Sequence, residues 1–283
     1  MNKQIISIGF SPCPNDTFIF DALVNKKIDT GNLQFEPVLE DVQTLNSWAI
    51  AGKLPVTKLS YGVLPIVTET YQLLNSGGAL GRGVGPLLIT KDRIAPEEIN
   101  ALPVAIPGEN TTAHLLFSLA YPLALNKVFL RYDEIENFVL AGNGPGVIIH
   151  ENRFTYADKG LQMITDLGDH WEKETGHPIP LGGIVIKRSM QPIIQKQVDL
   201  LIRESIQYAF SNYPELSDYI RDHSQEMSEA VMRKHIDLYV NDFSLDPGAS
   251  GKAAVIKLLE VYRQIRGLEH TFPDDLWIPG NEN

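Results

Sequence analysis

The stretch GVIIHENRF, residues 146–154, sets His150 directly after an apolar run of Val147, Ile148 and Ile149. An imidazole with an ordinary pKa of about 6.5 accepts a proton at neutral pH without extreme tuning, so a histidine here can serve as a general base. The same position suits a histidine that bonds a neighbouring main-chain carbonyl, and the residue types leave both readings open. In TKLSYG, alternation along a strand puts Lys58 and Ser60 on one face and Leu59 on the other. A lysine and a hydroxyl at a strand end can hold an anion, or simply be a solvated edge and a turn. PGENTTAHLL leads by a tight turn into a helix whose first turn carries Thr111 and Thr112. Free N–H groups and the positive dipole end suit a carboxylate or a phosphate there, while Asn110 or Thr111 can equally be a plain cap. His114, one turn further in, reads as structural.

SPCPNDTF places the sole cysteine, Cys13, between two prolines. A nucleophilic thiolate needs a base or a positive environment, and nothing nearby in sequence supplies one; the prolines read as a rigid loop wall. GRGVGP does not open a helix after a strand, so neither a P-loop nor a dinucleotide fingerprint is present. Its glycines fit close backbone packing. The seven histidines are scattered, with no H-E-x-x-H and no cysteine pair, so a metal centre has little support.

These residues need elements to hold them. QIISIGF reads as a strand, and Asn15 or Asp16 can cap a helix through TFIFDALVNKK, where apolar residues recur at i, i+4. LQFEPVL alternates like a strand, and Asp41 caps VQTLNSWAIAGK. VTKLSYG is a strand, followed by a helix through VLPIVTETYQLL. PLLIT, LPVAIPG, KVFLRY, GVIIH and GGIVIKR continue the strands, with helices between them in TTAHLLFSLAYPL and DEIENFVLAG. From Ser189 to about Gly267 the chain reads as almost wholly helical. Alternation of this kind predicts parallel sheets covered by helices. In such sheets ligands bind beyond the carboxyl ends of strands, and Ser11, Ser60, Pro107–Gly108 and His150 all fall at such ends. Strands near 85–90 and 182–187 would carry the chain out to a second lobe and back. The expected division is a large α/β lobe of residues 1–90 and 184–283, with a small α/β lobe of residues 91–183.

The chain has 283 residues, 43% hydrophobic and 21% charged, which suffices for a core without disulfides or metals. A formal net charge of −11 argues against nucleic acid as a partner, but not against a small anionic substrate held by local donors. The apolar run after Lys3 breaks at Ser11–Pro12, too early for a signal peptide. No stretch approaches the ~18 apolar residues of a membrane span. The expectation is a cytoplasmic protein that partners neither membrane nor nucleic acid, as monomer or homodimer.

Six motifs in order, SPCPNDTF, KLSYG, GRGVGPLL, TTAHLL, IIHENRFTY and PIPLGGIVIKR, together resemble the 1,4-dihydroxy-6-naphthoate synthases of the futalosine route to menaquinone. The resemblance spans about residues 5 to 270. It implies a fold like that of the type II periplasmic binding proteins, with two α/β lobes around a central cleft. It implies a carbon–carbon lyase that converts cyclic dehypoxanthine futalosine to 1,4-dihydroxy-6-naphthoate and a three-carbon fragment, with no cofactor and no metal. Carried over by motif, His150 is the proton acceptor, and Lys58, Leu59, Ser60, Thr111 and Thr112 bind the substrate. The alternatives are the chorismate dehydratase of the same pathway, which shares the fold, and a non-enzymatic solute-binding protein for small anions.

Overall fold

The computed structural model describes residues 3–224, 228–269 and 271–280. The strands divide between two sheets. β1 (Gln4–Phe10), β2 (Leu33–Leu39), β3 (Val56–Ser60), β4 (Tyr71–Leu73) and β5 (Ala79–Gly81) belong to the first. β6 (Leu87–Thr90), β7 (Val104–Ile106), β8 (Lys127–Phe129), β9 (Gly146–Ile148) and β10 (Gln162–Asp166) form the second, in the order β10-β6-β9-β7-β8. β11 (Ile179–Lys187) returns to the first sheet, whose order is β2-β1-β3-β11-β4, with β5 also pairing on β11. β6 thus hydrogen-bonds within the second sheet, although the sequence reading grouped it with the first lobe.

Neither sheet is wholly parallel, which corrects the expectation. β1 runs parallel to β2 and β3, but β11 is antiparallel to β3, β4 and β5. In the second sheet β7 is parallel to β8 and β9, while β6 is antiparallel to β9 and β10. The strands next to the crossings, β6 and β11, are the ones that reverse.

Helices α1 (Pro14–Val24), α2 (Val42–Ile50) and α3 (Leu64–Val67) follow the first three strands. α4 (Thr112–Ala120), α5 (Ile135–Leu140), α6 (Asn152–Thr155) and α7 (Leu167–Thr175) lie among the second-sheet strands. α8 (Pro192–Asn212), α9 (Asp218–His223), α10 (Glu229–Tyr239), α11 (Asp242–Leu245) and α12 (Gly248–Arg266) complete the chain. α1 is buried along its length from Pro14 to Leu23 because α8, α9 and α10 pack around it. The Ser205 hydroxyl ties α8 to α1, accepting from Leu23 N–H at 3.1 Å and donating to the Ile19 carbonyl at 2.6 Å. Asp41 caps α2 as its sequence suggests, accepting from Gln43 and Thr44 N–H. The helix expected through VLPIVTETYQLL stops after Val67, and Tyr71–Leu73 becomes β4. A core runs from the first sheet into the second sheet and α4, joining Leu59, Leu88, Val104, Phe117, Val147 and Trp171.

Candidate active site

β9 ends at Ile148, paired with Leu87 of β6, and the chain turns sharply two residues later. His150 makes that turn with φ +58°, in the left-handed region. For a non-glycine residue this costs on the order of 1–2 kcal/mol. The turn is held from its far side by Arg153. Its guanidinium donates to the Gly83 carbonyl at 3.0 Å and to the Gly85 carbonyl, and pairs with Asp166 at 2.9 Å. Arg153 is therefore a brace for the GRGVGP loop. Gly85 packs against Gly168 so closely that an added Cβ would lie 2.3 Å from the Gly168 Cα. The imidazole of His150 rests on the edge of Tyr132, ring centroids 5.0 Å apart, with the His235 ring 6.1 Å away. Burial pushes its pKa below 6.5. Glu151 and Asp16 oppose that shift, but desolvation outweighs them. The ring is accordingly neutral at neutral pH, the state a base requires.

The end of β1 and the start of α1 supply a buried polar knot. Asp16 is 1% exposed and accepts four hydrogen bonds. They come from Ser11 N–H (3.1 Å), the Ser11 hydroxyl (2.7 Å), the Asn15 amide (2.8 Å) and the Lys58 ammonium. Asp16 therefore does not cap α1, nor does Asn15; the cap position is Cys13, whose side chain makes no cap bond. Lys58 is not a free cation awaiting a ligand, since its charge already balances Asp16. Ser60, two residues on, is fixed by Asn46 of α2. The Asn46 amide donates to the Ser60 hydroxyl at 3.0 Å and to the Asn110 carbonyl at 2.9 Å, and its oxygen accepts from Ser60 N–H at 2.8 Å. Because the Ser60 hydroxyl accepts from Asn46, its own proton is left to donate elsewhere.

The first turn of α4 comes from the other sheet. Thr111 is its cap, accepting from His114 N–H at 3.2 Å and donating to the Gly108 carbonyl at 2.9 Å. The Thr112 hydroxyl accepts from Gly62 N–H at 3.0 Å and donates to the Leu181 carbonyl at 2.7 Å. Gly62 permits this seat, because a Cβ there would lie 2.6 Å from the Thr111 carbonyl. Both hydroxyls are thus engaged within the protein. The N–H groups of Thr112 and Ala113 remain, as first-turn donors without intrahelical partners. His114 donates from Nδ1 to the Glu109 carbonyl at 2.7 Å and accepts from Lys127 at Nε2, with its pKa pushed down to about 4 by burial.

Lys58, Leu59, Ser60, Thr111, Thr112 and His150 all line one cavity of about 100 Å³, with Ser11, Asn15 and Asp16 at its edge. The cavity lies between the two sheets, walled by Val84, Ile149, Leu181 and Tyr239. Sequence reasoning missed Asn46, Tyr132 and His235 as neighbours of the site. Asn46 carried a signal, an amide on the helix face that also presents Leu45 and Ala49. His235 and Tyr132 carried none, since only the tertiary fold brings them to His150. Cys13 was taken to have no base nearby, and the fold corrects this: its Sγ lies 3.7 Å from His150 Nδ1. Burial raises the Cys13 thiol far above its usual range, so it stays protonated and is not a nucleophile. Among the described residues, no group of three or more His, Cys, Asp or Glu is placed to hold a metal ion. No helix among them is long and apolar enough to cross a membrane.

Two mixed α/β layers with a cleft between them define the class: a two-lobed fold of the periplasmic-binding-protein type, here carrying an enzyme. A solved structure from Archaeoglobus fulgidus superposes with a TM-score of 0.87 at 32% identity, covering 93% of this chain and 98% of that one. The periplasmic aliphatic sulphonate binding protein of Escherichia coli matches at 0.64 with 11% identity, over 100% and 99% of the two chains, a likeness of fold alone. The chain belongs to the menaquinone biosynthesis family, whose profile matches residues 6–264. A relative from Thermus thermophilus is 45% identical over 97% of this chain and 100% of its own, and one from Streptomyces coelicolor is 41% identical over 92% and 93%. Both are named 1,4-dihydroxy-6-naphthoate synthase.

Proposed function

We propose that this enzyme cleaves a carbon–carbon bond of cyclic dehypoxanthine futalosine to release 1,4-dihydroxy-6-naphthoate, with His150 as the base. The observation that carries the reading is the His150 imidazole in one cavity with the Ser60 hydroxyl and the first turn of α4. His150 takes the proton of a substrate hydroxyl. The O–H electron pair becomes a carbonyl, the adjacent C–C bond breaks, and its electrons enter the bicyclic ring system, which becomes aromatic. The three-carbon fragment leaves as the new carbonyl compound. Every electron comes from the substrate, so the reading invokes no cofactor.

The substrate carboxylate is assigned to the Thr112 and Ala113 N–H groups at the positive end of α4. Ser60 donates to a second oxygen, and Lys58 offers the ammonium protons that Asp16 does not take. A cavity of about 100 Å³ lies below the roughly 300 Å³ at which drug-sized pockets begin. The reading therefore has the small lobe, residues 91–183 together with β6, move to admit a bicyclic substrate and close again to exclude water. A cytoplasmic location goes with this reading, supported by relatives named as biosynthetic synthases.

The test is a His150→Ala variant assayed by release of the naphthoate. It should bind substrate but lose turnover by about 10²–10⁴, the usual contribution of a positioned base. Turnover near the wild-type level would remove His150 from the role. Dehydration of chorismate, or saturable binding without product, would overturn the substrate assignment.

A further inference from the structure

We propose that Cys13 is the positioning residue for His150, its sulfur accepting the Nδ1–H so that the Nε2 lone pair is presented to the cavity. The inference rests on the reading of His150 as base, but its test does not depend on turnover. A neutral imidazole carries one proton, on either nitrogen, and which nitrogen is set by what the other one meets. Free histidine favours the proton on Nε2, which is the wrong place if Nε2 is to take a proton from the substrate. The protein must therefore hold it on Nδ1.

Cys13 is built to do this. Its Sγ is 3.7 Å from Nδ1, within reach of a sulfur hydrogen bond, and is the sole polar partner of that ring among the described residues. The sulfur makes no cap bond, although Cys13 occupies the cap position of α1, and Ser11 is its other side-chain neighbour. Its carbonyl is pinned by Asp16 N–H, Thr17 N–H and the Thr17 hydroxyl, at 3.1, 3.0 and 3.1 Å, and Pro14 follows it. These contacts fix the backbone from which the sulfur projects, and the residue is 2% exposed. On the histidine side, the left-handed backbone of residue 150 and the Tyr132 edge hold the ring in place. His235 packs near one side of it but bonds to neither of its nitrogens. A sulfur partner has a chemical consequence that a carboxylate would not have. It orients the ring without adding a charge beside it, so the imidazole keeps a low basicity and remains free to accept a proton.

The experiment is two-dimensional NMR of protein labelled with ¹⁵N-histidine, with the His150 signals assigned by their loss in His150→Gln. In the wild type Nδ1 should be the protonated nitrogen and Nε2 the bare one. In Cys13→Ala the Nε2–H form should appear, with kcat lowered about 10- to 100-fold and KM within about twofold, as when the group orienting a metal-bound histidine is removed. Cys13→Ser, which supplies an oxygen in the same place, should restore the wild-type tautomer and most of kcat. A wild-type spectrum with the proton on Nε2 overturns the proposal, and so does an unchanged tautomer in Cys13→Ala. If Cys13→Ala fails to fold by thermal melting, the wild-type and Cys13→Ser spectra still decide. Wild-type Nδ1 protonation combined with full turnover in His150→Ala would instead sink the base assignment and leave the sulfur contact standing.

Discussion

Removing Lys58 should cost the protein more stability than its position at a site would suggest. Lys58 and Asp16 are 6% and 1% exposed, and their side chains are in contact. Deleting one member of a buried ion pair leaves the other charge uncompensated, which typically costs 3–5 kcal/mol. In Lys58→Met, Asp16 would keep three donors, two from Ser11 and one from Asn15. Charge-assisted bonds of that kind hold part of the solvation a carboxylate needs, so the expected loss is at the lower end, about 3 kcal/mol. At roughly 2–4 °C per kcal/mol for a chain somewhat smaller than this one, the melting temperature should fall by about 6–12 °C. Lys58→Met with Asp16→Asn removes both charges and should recover at least half of the loss. Urea denaturation of the wild type, both single variants and the double variant at pH 7.5 measures the coupling, followed by the fluorescence of Trp48, Trp171 and Trp277. Stability of Lys58→Met within 1 kcal/mol of wild type, with no recovery in the double variant, would refute the reasoning. It would mean that Asp16 is satisfied by its neutral donors alone.

With His150 as the proposed base, its desolvation should set the acid limb of kcat/KM below pH 6.5, with activity flat from pH 7 to 8. Glu151, Asp16 and Asp41 raise its basicity and Lys58 lowers it, so Glu151→Gln should move the limb further down; a wild-type limb above pH 7 would contradict the dominance of burial. His114 falls from 6.5 unfolded to about 4 folded, so the unfolded chain takes up its proton first as pH drops. Its contribution is intact above pH 6.5 and is lost between 6.5 and 4, to about 3 kcal/mol in all. His114→Gln should therefore flatten the fall of melting temperature over that range, and an unchanged slope would count against it. Gly85→Ala drives a methyl into the Gly168 main chain and should destabilise by about 1–3 kcal/mol in a thermal melt; a melting temperature equal to wild type would show that the loop yields.

Strands whose partners are buried on both sides were legible because their apolar runs are uninterrupted: PLLIT, VAI and GVI all became strands near their expected positions. The short strand Tyr71–Leu73 was not. Its residues follow a helical spacing, and what makes it a strand is non-local. Leu73 lies in register with Val185, donates to the Leu276 carbonyl at 2.7 Å and accepts from Ile278 N–H at 2.9 Å. No local propensity reports partners more than 100 residues away. Strand direction was illegible for a similar reason, since alternation of elements does not say where the chain changes sheets. At the site, residues at strand ends were found by position, because carboxyl ends of strands converge in such folds. What each polar group holds was not readable. Nothing in SPCPNDTF shows that Asp16 takes the charge of Lys58, or that Cys13 meets a histidine 137 residues later.

The two bonds of the Thr112 hydroxyl have a consequence for how tightly any ligand is held. They bridge the sheets, from Gly62 N–H on one side to Leu181 on the same side through a side chain of the other lobe, and they need no ligand to form. Under the proposed opening of the cleft, these two bonds act as a latch. A resting population of shut molecules multiplies the intrinsic affinity for anything that must enter from outside by the fraction that is ajar, and so weakens it. Thr112→Val should loosen the latch, quicken entry and release together, and reveal how much of the enzyme's selectivity is spent at the door and how much at the bond that breaks.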